Sequence, residues 1–244
     1  MELFKDGLGC QITLFWIQCY PNPHEANQLT LEGFKAFTKK HHYPAKWLAG
    51  AYPRLKAYYP DSSPETQAIF EAQAVLLAKT LLEVRQSENR QRKELHGLFR
   101  QHPNYPVFSS LPAGKEFLGV ALCAKFGDDR QRFPRASDVQ SLAGTCPVTK
   151  ASGKSRRVQF RTGCDREWRN ICQLWAKALL LSGASTLANT CFVQVLEANP
   201  SISHAYRCLA NCWIAIAWKL WQSGESYDVT CHLQQIAARR KPRP

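Results

Sequence analysis

Ser152 stands in a Ser-Gly-Lys turn inside a strongly basic segment. Residues 150–169 include seven lysines and arginines and two acids, Asp165 and Glu167. A positively charged segment of this kind favours phosphate as its partner. Three residues alone are also common in solvent-exposed turns, so an ordinary surface turn is the alternative interpretation.

The chemistry that this segment could support is nucleophilic attack on phosphorus. A serine hydroxyl becomes effective only when its proton is removed and the pentavalent phosphorus that it creates is stabilised. Flanking cations can provide the stabilisation, and a glycine lets a backbone approach closely. The predicted phosphate contacts in this segment are Lys150, Gly153, Lys154, Arg156, Arg157 and Arg161. No obvious general base lies beside Ser152 in the sequence.

A second candidate phosphate site lies between Phe108 and Asp129. The pattern predicts a helix, a tight turn at 111–115 and a second helix at 118–126, which is the outline of a helix-hairpin-helix motif. In such a motif, turn amides at a helix amino terminus hold a DNA phosphate without reading sequence. Gly114 and Lys115 are the candidate contacts, and a purely structural turn is the alternative.

Composition limits the function classes. The chain has 244 residues, a net charge of +13 and 45% hydrophobic residues, enough for one good core or two small ones. The charge favours nucleic acid as a partner. The longest apolar run, Cys212 to Trp218, is far shorter than the roughly 20 residues of a membrane span, so no membrane partner is expected. The amino terminus lacks signal-peptide features, which predicts a cytoplasmic location.

A long helix is predicted over residues 61–103. Ser62 and Glu65 have the spacing of a capping box, helix formers continue to about Gln101, and Pro103 ends the run. A helix of this length suggests a coiled coil and a homo-oligomer formed through it. Residues 85–94 are almost entirely polar, so an exposed arm is the alternative.

The region after the basic segment is predicted to be helical at 168–182, 186–198 and 203–222. Its core is assigned to five tryptophans: Trp168, Trp175, Trp213, Trp218 and Trp221. Residues 231–244 are expected to form a basic disordered tail. The predicted fold is therefore mainly α, with a long coiled-coil-like arm followed by a compact helical domain that carries the basic serine-bearing loop.

The order of short motifs in this region resembles the carboxy-terminal half of the insertion sequence 110/116/902 transposases, which are RNA-guided DNA recombinases. The resemblance runs from about Leu31 to the end. Its most specific part is the block Pro-Val-Thr-Lys-Ala-Ser-Gly-Lys at 147–154. The other motifs are Ser-Ser-Leu-Pro at 109–112, Phe-Gly-Asp at 126–128, Leu-Ala-Gly at 142–144, Trp213, Trp221, Gly224 and Tyr-Asp at 227–228.

The resemblance implies that Ser152 attacks a DNA phosphodiester and forms a phosphoserine link. It implies DNA and a structured guide RNA as partners, and a serine-bearing transposase domain at 104–230. It also implies an amino-terminal RuvC-like domain whose four carboxylates hold a divalent metal such as magnesium. The motifs of that domain are not found, so residues 1–60 are expected to be a connector after a missing domain. The chain alone would then hold no cofactor and be inactive. The family usually carries two glycines in the 111–115 turn, where this chain has only Gly114.

Two other functions are left open by the sequence. A non-enzymatic protein could hold nucleic acid through the helix-hairpin-helix outline and the basic loop, and a helical interaction module could dimerise through the long helix. His204, Cys208 and Cys212 fall four residues apart on a predicted helix face, where a core stripe is the main interpretation and a metal site the alternative.

Overall fold

The computed structural model describes residues 3–5, 7–56, 63–115, 117–153, 155–181 and 186–240, without the side chains of Arg156, Thr186, Arg239 and Arg240. The chain divides into two compact units, the first up to Gln91 and the second from Arg92. This boundary lies inside the long helix, whereas the sequence placed boundaries at its two ends. The long helix is therefore not a separate domain of its own.

The first unit is built from short helices that enclose an aromatic core. They are α1 (Gln11–Cys19), α2 (Pro23–Gln28), α3 (Leu31–Lys40), α4 (Leu48–Leu55) and the first part of α5 (Pro64–Gln101). Phe4 is fully buried, with its ring centroid 5.8 Å from that of Trp16 and 6.1 Å from that of Phe34. Buried aromatic side chains contribute roughly 1.5–3 kcal/mol each. The described residues of the predicted connector at 1–60 therefore have a core of their own.

Helix α5 confirms the predicted long helix. Ser63 caps it, because its hydroxyl accepts from the Thr66 amide at 3.3 Å, while Ser62 lies outside the described residues. Ala78 and Leu82 are buried together with Leu14 of α1. The remaining large apolar side chains of α5, such as Phe70 and Leu77, are mostly exposed.

The second unit contains the remaining elements. They are the end of α5, α6 (Tyr105–Ser110), α7 (Phe117–Phe126), α8 (Ala136–Leu142), β1 (Val148–Ser152), β2 (Ser155–Gln159), α9 (Arg166–Leu181), α10 (Thr186–Ala198), α11 (Ile202–Ser223) and α12 (Val229–Arg240). The two strands form the only sheet among the described residues, so the mainly α class is confirmed.

Tryptophans dominate the core of the second unit, as predicted. Trp168, Trp175 and Trp221 are fully buried and Trp213 nearly so, whereas Trp218 is only half-buried. The Trp168 ring packs edge-on against Phe126, with 5.5 Å between centroids. The indole nitrogen of Trp221 also fixes a nearby turn, since Nε1 donates to the Gly127 carbonyl at 3.0 Å.

Two predictions for this unit are wrong. The basic segment is a β-hairpin rather than a loop, because residues 148–152 pair with 155–159. Residues 229–240 form α12 where a disordered tail from 231 was expected, and Asp228 caps that helix by accepting from the Thr230 amide at 2.7 Å. Residues 241–244 lie outside the described residues.

Among the described residues, no helix is both long enough and apolar enough to cross a membrane.

Candidate nucleic-acid interface

The hairpin register decides which side chains share a face. Strands β1 and β2 pair antiparallel with Ser152 opposite Ser155 and Lys150 opposite Arg157. Directly opposed residues lie on one face, and side chains two apart along a strand do too. Ser152, Lys150 and Arg157 therefore share one face of the hairpin, and all three are exposed.

Gly153 closes the hairpin next to Ser152. Its φ of +54° is left-handed, which two-residue hairpin turns favour at their first central position and which glycine adopts without strain. A Cβ at this position would meet nothing within 4 Å. The space beside Gly153 is thus open, and close approach of a DNA strand there stays a prediction. Lys154 and the side chain of Arg156 lie outside the described residues.

The two acids of the basic segment form ion pairs with Lys125 of α7 and, among the described residues, with none of the hairpin cations. Asp165 Oδ2 and Glu167 Oε2 lie 2.9 and 2.6 Å from Lys125 Nζ on α7. The Asp165 carboxylate also accepts from the Trp168 amide at 3.0 Å and so caps α9. This amide and Lys125 lower the pKa of Asp165, and the two carboxylates raise the pKa of Lys125. Within the described part of the chain, no carboxylate forms an ion pair with Lys150 or Arg157.

Arg161 serves the base of the hairpin rather than its exposed face. It is half-buried, and its Nε donates to the Cys146 carbonyl at 3.4 Å. Arg169 of α9 in turn donates from Nη2 to the Arg161 carbonyl at 2.6 Å. These bonds tie the end of β2 to the helical core, which a two-stranded hairpin needs because it is marginally stable alone. Arg161 is therefore less available to a phosphate than the sequence suggested.

In the predicted second site, the turn at 111–115, the backbone amide of Gly114 is used within the turn itself. Helices α6 and α7 flank this turn as expected. Gly114 is buried, and its amide donates to the Leu111 carbonyl at 2.8 Å, so this amide is not directed at a ligand. Lys115 is exposed, and its carbonyl lies 2.9 Å from His96 Nε2. A phosphate contact at Lys115 stays a prediction.

Neither a metal site nor a general base accompanies Ser152 within the described ranges. No group of three or more His, Cys, Asp or Glu side chains there could hold a metal ion, which includes the stripe of His204, Cys208 and Cys212. The described residues therefore do not fit the magnesium that the resemblance implies. No hydrogen-bond partner of the Ser152 hydroxyl is found in the same ranges.

One arrangement that sequence reasoning missed has the form of a catalytic triad. Cys123 Sγ lies 3.5 Å from His102 Nδ1, and His102 Nε2 lies 3.3 Å from Asp128 Oδ1. Burial raises the pKa of Cys123 to about 11, which keeps its thiol neutral and unreactive. The Asn104 amide also donates to His102 Nδ1 at 3.1 Å. The group therefore connects neighbouring segments of the fold and is not a reactive site. No sequence motif predicts it.

Part of the chain is similar to known proteins. Residues 105–189, which include the hairpin, match the family model described as the transposase IS116/IS110/IS902 family. A protein named "Mini-circle putative transposase for IS117", from Streptomyces coelicolor, is 28% identical over 214 residues, 85% of this chain and 50% of that protein. An uncharacterized 43.6 kDa protein of insertion element IS110, from the same organism, is 33% identical over 153 residues, 62% of this chain and 37% of that protein.

The chain spans half or less of the length of these two curated relatives. The family match covers α6 to the start of α10, which includes the 111–115 turn, the hairpin and the buried tryptophans Trp168 and Trp175. Both named relatives come from insertion elements. Residues 105–189 of the chain therefore resemble the IS116/IS110/IS902 transposase family.

Proposed function

We propose that this chain binds DNA through its β-hairpin as part of a transposase that exchanges strands through a phosphoserine link at Ser152. One observation carries the proposal: an exposed hairpin face that presents Ser152 beside Lys150 and Arg157, with no acid paired to either cation among the described residues.

The pairing of the two cations supports phosphate as the partner. Lys150 and Arg157 are directly opposite each other across the strands. Like charges in this position destabilise a hairpin, typically by a fraction of a kcal/mol. A phosphodiester placed between them reverses the sign of the interaction, and its binding releases counterions from the DNA. The electrostatic energy of this pair of cations is therefore lower with nucleic acid bound than without it.

The proposed reaction conserves phosphodiester bonds. Ser152 Oγ forms a bond to phosphorus, the bond from that phosphorus to one neighbouring sugar oxygen breaks, and the sugar oxygen leaves as a hydroxyl. Attack by this new hydroxyl, or by one from another strand, reverses the step and releases the serine. Arg157 and Lys150 would stabilise the charge on the phosphoryl oxygens. The described residues supply no base for the serine proton, so we propose that they bind DNA but do not complete recombination by themselves.

The nucleophile can be tested with a duplex that carries bridging phosphorothiolates, whose thiolate leaves without a proton and so traps the adduct. Ser155→Ala is a matched control, because Ser155 lies opposite Ser152 on the same exposed face. We expect a slow protein–DNA adduct from the wild type and from Ser155→Ala, and none from Ser152→Ala, with equal DNA affinity in all three. An adduct of normal yield from Ser152→Ala contradicts the assignment.

A non-enzymatic DNA-binding protein is the second candidate. The absence of any hydrogen-bond partner for the Ser152 hydroxyl among the described residues favours it. The same experiment separates the two functions, because a purely binding protein gives no adduct from any variant while all three bind the duplex.

A homo-oligomer through α5 is part of the proposal. One heptad position of α5 is occupied by Phe70, Leu77, Val84, Gln91 and Leu98, which are seven residues apart and apolar except for Gln91. The second core position of the heptad, four residues later, includes Leu81 and Leu95. All six apolar side chains are at least 43% exposed. We expect light scattering to show a dimer for the wild type and for Gln86→Glu, outside the seam, and a monomer for Leu77→Glu. A dimer that survives Leu77→Glu removes this seam from the proposal.

A structured guide RNA is proposed from the family resemblance alone. It predicts that protein purified from its host carries RNA of defined length. Sequencing of the bound nucleic acid tests this, and a random mixture of fragments would count against it.

A further inference from the structure

A cavity of about 420 Å³ opens at the base of the hairpin. Its walls include Thr145, Val158, Phe160, His204, Arg207 and Asn211. This volume is in the range of small-ligand sites in proteins, roughly 300–1,000 Å³. Phe160 directly follows β2 and is 47% exposed, although it is a large aromatic side chain. None of the functions assigned to the hairpin face uses this cavity.

Two guanidinium groups lie against the same ring. The guanidinium carbons of Arg169 and Arg207 are 4.5 and 4.9 Å from the Phe160 ring centroid. Neither arginine has an ion pair with a carboxylate in the described part of the chain. Arg169 Nε is buried without any hydrogen-bond partner there. Two like charges around one ring, neither paired with a carboxylate among the described residues, leave a positive potential that an anion would neutralise.

The opposite wall supplies polar groups. The Asn211 side chain is oriented by Thr145, whose hydroxyl lies 2.9 Å from Asn211 Oδ1. This leaves the amide nitrogen Nδ2 without a partner among the described residues. His204 Nδ1 lies 3.5 Å from Arg207 Nη2, so these two side chains form a further polar edge. The cavity thus combines an aromatic surface, a free amide donor and the guanidinium of Arg207, which has no carboxylate partner in the described part of the chain.

We propose that this cavity holds one unpaired nucleotide of single-stranded DNA, with its base against Phe160 and its phosphate on Arg207. Aromatic rings flanked by arginines are the usual platform for unstacked bases. A paired base cannot reach such a cavity, because its faces are covered by its neighbours in the duplex. DNA is preferred over RNA because Ser152 lies on the same hairpin, about 17 Å away along the strands, and strand cleavage there would expose unpaired nucleotides. This inference rests on the proposed function.

The test compares two variants and two probes. Phe160→Leu keeps apolar volume but removes the ring, and Lys150→Gln removes a cation from the hairpin face. The probes are a labelled 12-residue oligothymidylate and a labelled 20-base-pair duplex, titrated by fluorescence anisotropy. We expect Phe160→Leu to weaken single-strand binding at least about fivefold, the lower end for loss of one stacked base, and to leave duplex binding unchanged. Lys150→Gln should weaken both probes similarly.

A second measurement needs no variant of Phe160. An oligonucleotide of the same length without bases should bind the wild-type protein at least about fivefold more weakly than oligothymidylate. Equal affinity for the two overturns the proposal, even if Phe160→Leu were to misfold. A stronger affinity for an oligouridylate than for oligothymidylate overturns the assignment to DNA.

The outcomes also separate this inference from the proposed function. If Phe160→Leu binds oligothymidylate normally while Lys150→Gln weakens duplex binding, the cavity assignment fails and the hairpin interface stands. If the wild type binds neither probe, both the proposed DNA binding and the cavity assignment are contradicted.

Discussion

The two glycine-containing turns of the second unit, at 111–115 and at 152–155, look alike in sequence and differ in the structure. Each contains one glycine followed by a lysine, and each was predicted to contact phosphate. A Cβ on Gly114 would lie 2.1 Å from the Phe108 carbonyl oxygen, whereas a Cβ on Gly153 would meet nothing within 4 Å. The first glycine is required for packing and the second for a left-handed turn in solvent.

The difference shows what turns a glycine turn into a binding site. The Gly114 amide is consumed by Leu111, and a Cβ on Gly119 of α7 would lie 1.8 Å from the Gly114 carbonyl oxygen. Close packing of this kind leaves no room for a ligand. Of the two turns, the hairpin turn keeps the space beside its glycine open, and the exposed side chains of Lys150 and Arg157 lie on the adjoining strands.

The largest effect on stability is expected from Gly119→Ala, which disrupts the packing of α7 against the 111–115 turn. The added methyl group would overlap backbone atoms that cannot rotate away, so we expect a loss of at least about 3 kcal/mol in the free energy of unfolding. Gly97→Ala is the matched control, because this helical glycine of α5 has nothing within 4 Å of a Cβ. It should gain up to about 1 kcal/mol from helix propensity. Urea denaturation measures both, and equal stability of the two variants would contradict the close packing.

A smaller loss is expected from Trp175→Phe, which removes a bond to the first turn. Trp175 Nε1 donates to the Pro112 carbonyl at 2.9 Å. Phenylalanine leaves this carbonyl without its donor and creates a small void, so we expect a loss of about 2 kcal/mol. Trp213→Phe is the control, since the Trp213 nitrogen has no hydrogen-bond partner among the described residues. Thermal or urea unfolding should show a smaller loss for the control. Similar losses in both would mean that the Pro112 bond contributes little.

The sequence predicted the helical core well. Helices α9 to α11 lie within a few residues of their predicted bounds, because their apolar positions recur with helical spacing and Asn199-Pro200 separates the last two. The buried tryptophans followed from the same spacing. Helix α12 was missed because its basic residues were taken as a sign of disorder, although Ile236, Ala237 and Ala238 are compatible with a helix.

The site was predicted in part. The hairpin was missed because its strands are exposed on both faces, so they lack the alternation of apolar and polar residues by which strands are recognised. The two-residue turn with Gly153 between Val148 and Val158 was a signal that could have revealed it. Side-chain availability could not be predicted at all. Sequence placed Arg161 and Arg157 in one clamp, and only tertiary contacts show that Arg161 is bound to the Cys146 carbonyl.

Lys150→Gln tests whether the exposed face of the hairpin binds DNA. This exposed side chain has no ion pair in the described part of the chain, so folding stability should stay within about 0.5 kcal/mol of the wild type. DNA affinity should fall several-fold, and the slope of log affinity against log salt should decrease by about 1. Lys177→Gln, on the exposed face of α9, removes the same charge and should change neither. Equal effects of both variants would mean that only net charge matters.

The smallest effect is expected from Asp165→Asn, which tests whether the acids of the basic segment belong to the core. Asparagine can still accept from the Trp168 amide, so the variant loses mainly the ion pair with Lys125. The Trp168 amide and Lys125 lower the pKa of Asp165. The stabilisation is thus present above the ordinary carboxyl pKa and disappears as pH falls through the lower folded pKa. We expect a loss of less than about 1 kcal/mol at pH 7 that shrinks below about pH 4. Urea denaturation at both pH values measures it. A pH-independent difference would show that the ion pair with Lys125 is not the source of the loss, and a gain in DNA affinity would show that the Asp165 charge opposes the hairpin cations.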